Sequence, residues 1–268
     1  MKKRGKKKKG KIITKKKSNK KIKKIIKKGL EKLKKKIRNP SGINNFDKFI
    51  EGGFKQDSVN LVVGSSGSGK TILATQFLME GLKKKENVLY ITFEEKKDGF
   101  YRNMGRFGWD LQKYESKKKF FFLEYTPEKV RTMLEEGGGS IEAIVIKHKI
   151  KRLVIDSFTS FALLFENELL RREAAIALFS MIRKWQCTSL LTLEDEDITM
   201  RDSLSASIEF EADSIILLYF LRDKKTRKRY IEVLKMRGTK HSTAIHGFEI
   251  GEKGIKVQDR VLIDKIKK

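Results

Sequence analysis

Residues 64–71 run Gly64-Ser65-Ser66-Gly67-Ser68-Gly69-Lys70-Thr71 and match GxxxxGK[ST] at every fixed position. That spacing suits one chemistry, the cradling of a polyphosphate. The glycines permit backbone torsions that aim successive N–H groups inward at phosphate oxygens. A helix opening at the end of the stretch adds its positive pole. Lys70 is then placed to reach the β- and γ-phosphates, and the Thr71 hydroxyl to ligate Mg²⁺.

Acids that such a cradle needs stand downstream. Arg152-Leu153-Val154-Ile155-Asp156 is an apolar run ending in a carboxylate. It fits a strand adjacent to the cradle, with Asp156 holding hydrated magnesium. Thr92-Phe93-Glu94-Glu95 ends another strand at the same sheet edge. Glu94 is the candidate general base for an attacking water, with Glu95 as its partner. Alone, these acids are ordinary solvent-facing strand ends; the cradle gives them a task. Glu194 closes a third strand there, as a candidate sensor of the γ-phosphate. Far along the chain lies Leu234-Lys235-Met236-Arg237-Gly238-Thr239-Lys240-His241. In a strand, residues two apart share a face, so Lys235 and Arg237 present two fixed cations together. The alternative is a basic edge strand guarded against aggregation.

The elements that must position these groups alternate. Strands are expected at Val59–Val63, Val88–Phe93, Phe120–Leu123, Leu153–Asp156, Thr188–Leu193, Ser214–Phe220 and Tyr230–Met236. Helices are expected from Lys70 to Leu82, Asp98 to Phe107, Pro127 to Glu136 and Leu169 to Trp185. The last shows an apolar stripe through Leu170, Ala174, Ala177, Leu178, Met181 and Trp185. Gly137-Gly138-Gly139 reads as a loop, with Ser140 capping the helix that follows. Strand–helix alternation predicts an α/β fold: a mainly parallel sheet flanked by helices on both faces.

The chain has 268 residues and a formal net charge of +28, very unevenly spread. Residues 1–38 hold 22 Lys/Arg and a single acid, Glu31. Residues 1–20 are a Lys tract of the kind that stays disordered. Ile22, Ile25, Ile26, Leu30, Leu33 and Ile37 then recur at helical spacing, giving a basic amphipathic helix. The expected division is therefore residues 1–39 as a basic extension and 40–268 as one domain. Cys187 is the only cysteine, which excludes an internal disulfide and fits a reducing, cytoplasmic setting. No apolar run is long enough to span a bilayer.

Several blocks in order resemble the KaiC-like branch of the RecA family of P-loop ATPases. They are GINNFDKFIEGG (42–53), the cradle, FEE (93–95), RNMGRFGWDL (102–111), LVIDSFTS (153–160), LLRRE (169–173) and LKMRGTKH (234–241). The likeness covers about residues 41–258, and the basic extension has no counterpart in it. It implies a RecA-like ATPase core using ATP and Mg²⁺, assembled into a homo-oligomeric ring, usually a hexamer, with ATP between neighbours. It also implies that Lys235, Arg237 and His241 reach a neighbouring subunit's nucleotide. Two departures matter. The clock protein of this family has two such domains and this chain has one. Its phosphorylated Ser/Thr pair is matched here by Glu209 and Phe210, which accept no phosphoryl group.

The functional expectation is a regulatory or signalling ATPase. An alternative is an ATP-binding assembly platform without hydrolysis, of the archaeal motility accessory type. A DNA-recombinase role is disfavoured, because residues 194–213 hold eight acids against Arg201 and would repel a phosphate backbone. The basic extension suits nucleic acid, an anionic membrane surface or an acidic protein, and ring assembly would multiply its weak contacts.

Overall fold

A computed structural model describes residues 38–261, except Gly138, residues 196–207, 209–210 and Lys224. The amphipathic segment 22–37, the Glu209–Phe210 pair and most of the acidic stretch lie outside the described residues. The chain divides into two units, Met1–Arg38 and Asn39–Lys268; the large sheet and both of its cores belong to the second.

After the short strands β1 (Arg38–Asn39) and β2 (Phe54–Lys55) come β3 (Val59–Gly64), α1 (Lys70–Lys83), β4 (Asn87–Thr92), α2 (Lys97–Gly105), α3 (Leu111–Ser116) and β5 (Phe120–Glu124). Then follow α4 (Pro127–Glu136), α5 (Gly139–His148), β6 (Ile150–Asp156), α6 (Phe158–Ala162), α7 (Glu168–Lys184) and β7 (Thr188–Glu194). Four strands come last among the described residues: β8 (Ser214–Asp223), β9 (Thr226–Met236), β10 (His246–Gly251) and β11 (Gly254–Val261). Nine strands form one sheet in the order β11-β10-β9-β8-β3-β7-β6-β4-β5. The six from β8 to β5 are parallel. The last three are joined antiparallel.

Period-two alternation sorts the central strands between two cores. Val62, Tyr90, Val154 and Leu190 pack with Leu73, Ala74 and Phe77 of α1 on one face. Val63, Leu89, Ile155 and Leu191 pack with Phe158, Leu178 and Ile182 on the other. Both faces are apolar because both are covered, as the near-continuous apolar strands predict.

The short elements β1, β2, α3 and α6 are not expected from the sequence, and three further details differ from it. In α7 the buried set is Ala174, Ala175, Leu178, Phe179 and Ile182, while Ala177 is exposed and Leu170 is 43% exposed. Two apolar stripes overlap on this helix, and burial goes to the one carrying the larger Phe179 and Ile182 side chains. Asn167, whose side chain accepts from the Leu170 N–H, sets the start of the helix. Ser140 does not cap α5, which already begins at Gly139; its hydroxyl instead meets the Tyr125 phenol at 2.6 Å. The third difference is the β10–β11 hairpin. Its apolar residues are interspersed with charges and a Gly251–Gly254 turn, and sequence periodicity did not mark it.

Arg152 ties the sheet to the helix that follows the cradle. It is 0% exposed, ion-pairs with Glu86 at 2.6 Å and donates to the carbonyls of Pro40 (2.7 Å) and Phe77 (2.9 Å). Its guanidinium lies 4.6 Å from the Phe77 ring centre. Gly81 lets α1 pass this close, since a Cβ there would sit 2.7 Å from Arg152 Nε. The guanidinium is buried while Glu86 stays 24% exposed, so Arg152→Ala, which strips charged hydrogen bonds worth about 1.5–3 kcal/mol each, should lower unfolding stability by about 3 kcal/mol in urea titration. Cys187 offers a second check. Burial pushes its thiol up to about 12, so the native chain at pH 8 should resist iodoacetamide and react only once unfolded, as mass spectrometry would read.

Candidate functional site

The fully buried β3 delivers the chain to the loop at Gly64, where a Cβ would lie 2.5 Å from the Leu218 carbonyl oxygen. Gly67 and Gly69 adopt φ of +74° and +107°, the left-handed region that glycine tolerates. Lys70 folds back into the loop, donating to the carbonyls of Gly64 (2.8 Å) and Ser65 (2.9 Å). Burial lowers its pKa, while the charges of Glu194, Asp156 and Glu94 act the other way. Ser65 is half-buried and Ser66 exposed; the Ser68 hydroxyl is buried without a hydrogen-bond partner among the described residues.

Two later parts of the chain shape this loop. Arg229 donates to the Gly67 carbonyl through Nε (3.2 Å) and Nη2 (3.1 Å), with its guanidinium 4.2 Å from the Phe220 ring centre. The β10–β11 hairpin covers Gly69, where a Cβ would meet Ile250 at 3.2 Å. Gln76 of α1 fastens that hairpin, accepting from the Ile255 N–H at 2.7 Å and donating to its carbonyl at 3.2 Å.

Asp156 does not stand on the strand beside the cradle. β7 lies between β3 and β6, so the carboxylate is two strands away. It still reaches the loop because α1 packs over β6 and β7, bringing Thr71 down onto it. The Thr71 hydroxyl donates to Asp156 Oδ2 at 2.7 Å. With that proton turned to the carboxylate, the threonine oxygen keeps its lone pairs for a cation, so these residues fit Mg²⁺. Tyr90 donates to the same Oδ2 at 2.5 Å, and the Thr192 hydroxyl donates to Oδ1. Strand alternation puts Tyr90, Asp156 and Thr192 on the α1 face together. Burial, then the Asp156 charge, drives the Tyr90 phenol well above the usual tyrosine range, so it remains a donor.

Glu94 and Glu95 follow β4, and their N–H groups both turn to the Thr92 hydroxyl, at 3.2 and 3.1 Å. Glu94 Oε1 accepts from Ser157 (3.0 Å) and Ser160 (2.6 Å). Glu95 Oε2 is buried without a partner among the described residues, and burial, then the charges of Asp156 and Glu94, raise its pKa. Glu194 is paired in register with Gly64, and its N–H donates to the Thr159 hydroxyl at 2.6 Å. Residues 64–71, Glu94, Glu95, Asp156 and Glu194 thus gather at one sheet edge.

Lys235, Arg237 and His241 do not join them. β9 runs antiparallel to β8, so Lys235 pairs with Ile215, and Ile215 pairs with Leu61 near the start of β3. Gly64 instead pairs with Leu218, whose β9 partner is Ile231. Leu61 and Gly64 are three residues apart, so Lys235 lies about 10 Å farther along the sheet, at ~3.3 Å per residue, toward the opposite edge, with Arg237 beyond it. β9 ends at Met236, so Arg237 falls just past the strand, with its N–H bonded to the Asp213 carbonyl at 2.8 Å. A bulge leaves Leu234 out of register and 46% exposed, and Met236 returns to the core. His241 Nδ1 lies 2.9 Å from the Ser242 carbonyl.

Sequence reasoning missed Tyr90, Thr192, Arg229 and the Ser157–Ser160 pair on Glu94. Each contact joins residues distant in sequence, so no local spacing marks it; only the strand ends of β4, β6 and β7 hinted at a shared edge.

The family model for the KaiC ATPase matches residues 39–261, which include every element of this site. The circadian clock oscillator protein KaiC of Prochlorococcus marinus subsp. pastoris is 33% identical over 244 residues, covering 88% of this chain and 47% of the relative. The circadian clock protein KaiC3 of Synechocystis is 32% identical over 235 residues, covering 85% and 45%. The chain thus spans about half the length of the curated relatives it matches. The crystal structure of a KaiC-like protein from Pyrococcus horikoshii OT3 superposes with a TM-score of 0.72 at 36% identity, covering 82% of this chain and 98% of that one. The chain belongs to the KaiC family, a branch of the RecA-type P-loop ATPases.

Proposed function

We propose that this chain binds MgATP and hydrolyses it slowly in a ring of identical subunits, as a regulatory or signalling switch. The observation that carries the reading is the Thr71–Asp156 hydrogen bond at 2.7 Å beside the Lys70 loop. It joins the phosphate cradle to the acidic strand end in one site. Bound Mg²⁺ would supply charge neutralisation at the phosphates. Lys70 exchanges its loop carbonyls for phosphate oxygens, and Thr71 and Asp156 hold the cation. Glu94 accepts a proton from the attacking water, and two serine hydroxyls already engaged on Oε1 favour a restrained base and slow turnover. Glu95 shapes the field around it, and Glu194 senses the γ-phosphate.

Lys235, Arg237 and His241 serve the site of an adjoining subunit. Support comes from the strand register, which carries these cations away from their own chain's cradle. Fixed cations supplied in trans stabilise charge developing in phosphoryl transfer and accelerate it by roughly 10³–10⁵-fold. That geometry asks for a closed ring, since each interface would then hold one nucleotide.

Two measurements check this. Glu94→Gln should lower steady-state phosphate release by roughly 10²–10⁴-fold, the usual span for a general base, while ATP binding persists; equal rates would favour the non-hydrolysing platform. Lys70→Ala and Arg237→Ala chains should each be inactive alone. Mixed, they should regain activity, because one supplies the cradle and the other the cation. No recovery on mixing would overturn the role of the cations in trans.

A further inference from the structure

An ionised carboxylate offers about four lone-pair sites to donors or cations. At Asp156 three are taken: Thr71 and Tyr90 share Oδ2, and Thr192 holds Oδ1. The two strands flanking β6 each contribute one of these donors, Tyr90 from β4 and Thr192 from β7. A carboxylate engaged in this way is a poor direct ligand for a metal, but it readily accepts a hydrogen bond from metal-held water. The distinction separates two common cations. Mg²⁺ dehydrates reluctantly and keeps several waters, whereas Ca²⁺ takes carboxylates directly, often through both oxygens.

We propose that Tyr90, together with Thr192, is a specificity-determining residue that holds Asp156 as an acceptor for cation-bound water and so selects Mg²⁺ over Ca²⁺. The inference rests on the MgATP reading of the site. Tyr90 is built for such a task. It is 0% exposed, and its ring is fixed between Phe100, at 4.4 Å between centroids, and Phe122, stacked at 5.5 Å. That packing needs only the ring, which phenylalanine would also supply. The hydroxyl is the part that reaches Asp156. Thr192 is equally buried, and valine would keep its shape without the donor. Each substitution frees one lone pair of the carboxylate for direct coordination.

The test uses the full chain and a fluorescent ADP analogue, titrated in EDTA, in Mg²⁺ and in Ca²⁺. The quantity read is the affinity gain from Mg²⁺ divided by that from Ca²⁺. Wild type should favour Mg²⁺. Tyr90→Phe should narrow the ratio by about tenfold, the order expected for one hydrogen bond to a charged group, and Thr192→Val should narrow it from the other oxygen. A purely packing role for Tyr90 would lower the unfolding midpoint of the nucleotide-free chain and weaken both ions alike. An unchanged ratio in both variants, with ADP still bound, overturns the proposal and leaves the nucleotide site standing. So does a wild type that treats the two ions equally. A wild type that binds ADP with neither ion overturns both. Should Tyr90→Phe not fold, the Thr192→Val ratio decides alone.

Discussion

The hydrogen bond between Thr71 and Asp156 is the contact on which the site depends, because it joins two parts of the fold with separate origins. Thr71 belongs to the loop and first helical turn that follow β3. Asp156 ends a strand two places away in the sheet. Nothing in the backbone ladder brings them together. The meeting requires α1 to lie across β6, and α1 lies there because Leu73, Ala74 and Phe77 share one core with Val154 and Leu190 and because buried Arg152 binds the Phe77 carbonyl. The position of the Thr71 hydroxyl, the proposed metal ligand, therefore rests on apolar packing and on a single guanidinium some distance from it.

Sheet direction then divides the functional groups between two edges. Parallel strands β3, β4, β6 and β7 send every carboxyl end to one side, which concentrates the cradle and four acids there. The antiparallel return of β9 sends Lys235 and Arg237 the opposite way. A chain built like this has its site carboxylates and these two cations at opposite edges, a polarity that suits head-to-tail assembly. The curated KaiC relatives are about twice as long as this chain, whereas the KaiC-like protein of Pyrococcus horikoshii is covered over 98% of its length.

Groups defined by contiguous spacing were legible in the sequence. Gly64 to Thr71 declares a phosphate loop on its own, and an apolar run ending in Asp156 declares a buried strand with an acid at its tip. The neighbour relation was not legible, since the residues do not reveal that β7 inserts between β3 and β6. Nor did Tyr90 announce itself: in a strand it looks like any aromatic core residue, and only the register of three strands turns its hydroxyl toward Asp156. The α7 stripe was ambiguous for a simpler reason, because two helical faces were apolar and the volume of Phe179 and Ile182 decided between them. The bulge at Leu234 kept the alternation of β9 from carrying through to Arg237 without interruption.

The β10–β11 hairpin bears on how the molecule comes into being. Gln76 and Ile255, 179 residues apart in the sequence, must meet before Gly69 is covered by Ile250. During synthesis the glycine-rich turn leaves the ribosome well before its roof does. Nascent chains would carry an unfinished nest until β10 and β11 have both emerged, so whatever the loop holds is held in full only from then on, and shortened products lacking these two strands would leave the nest open.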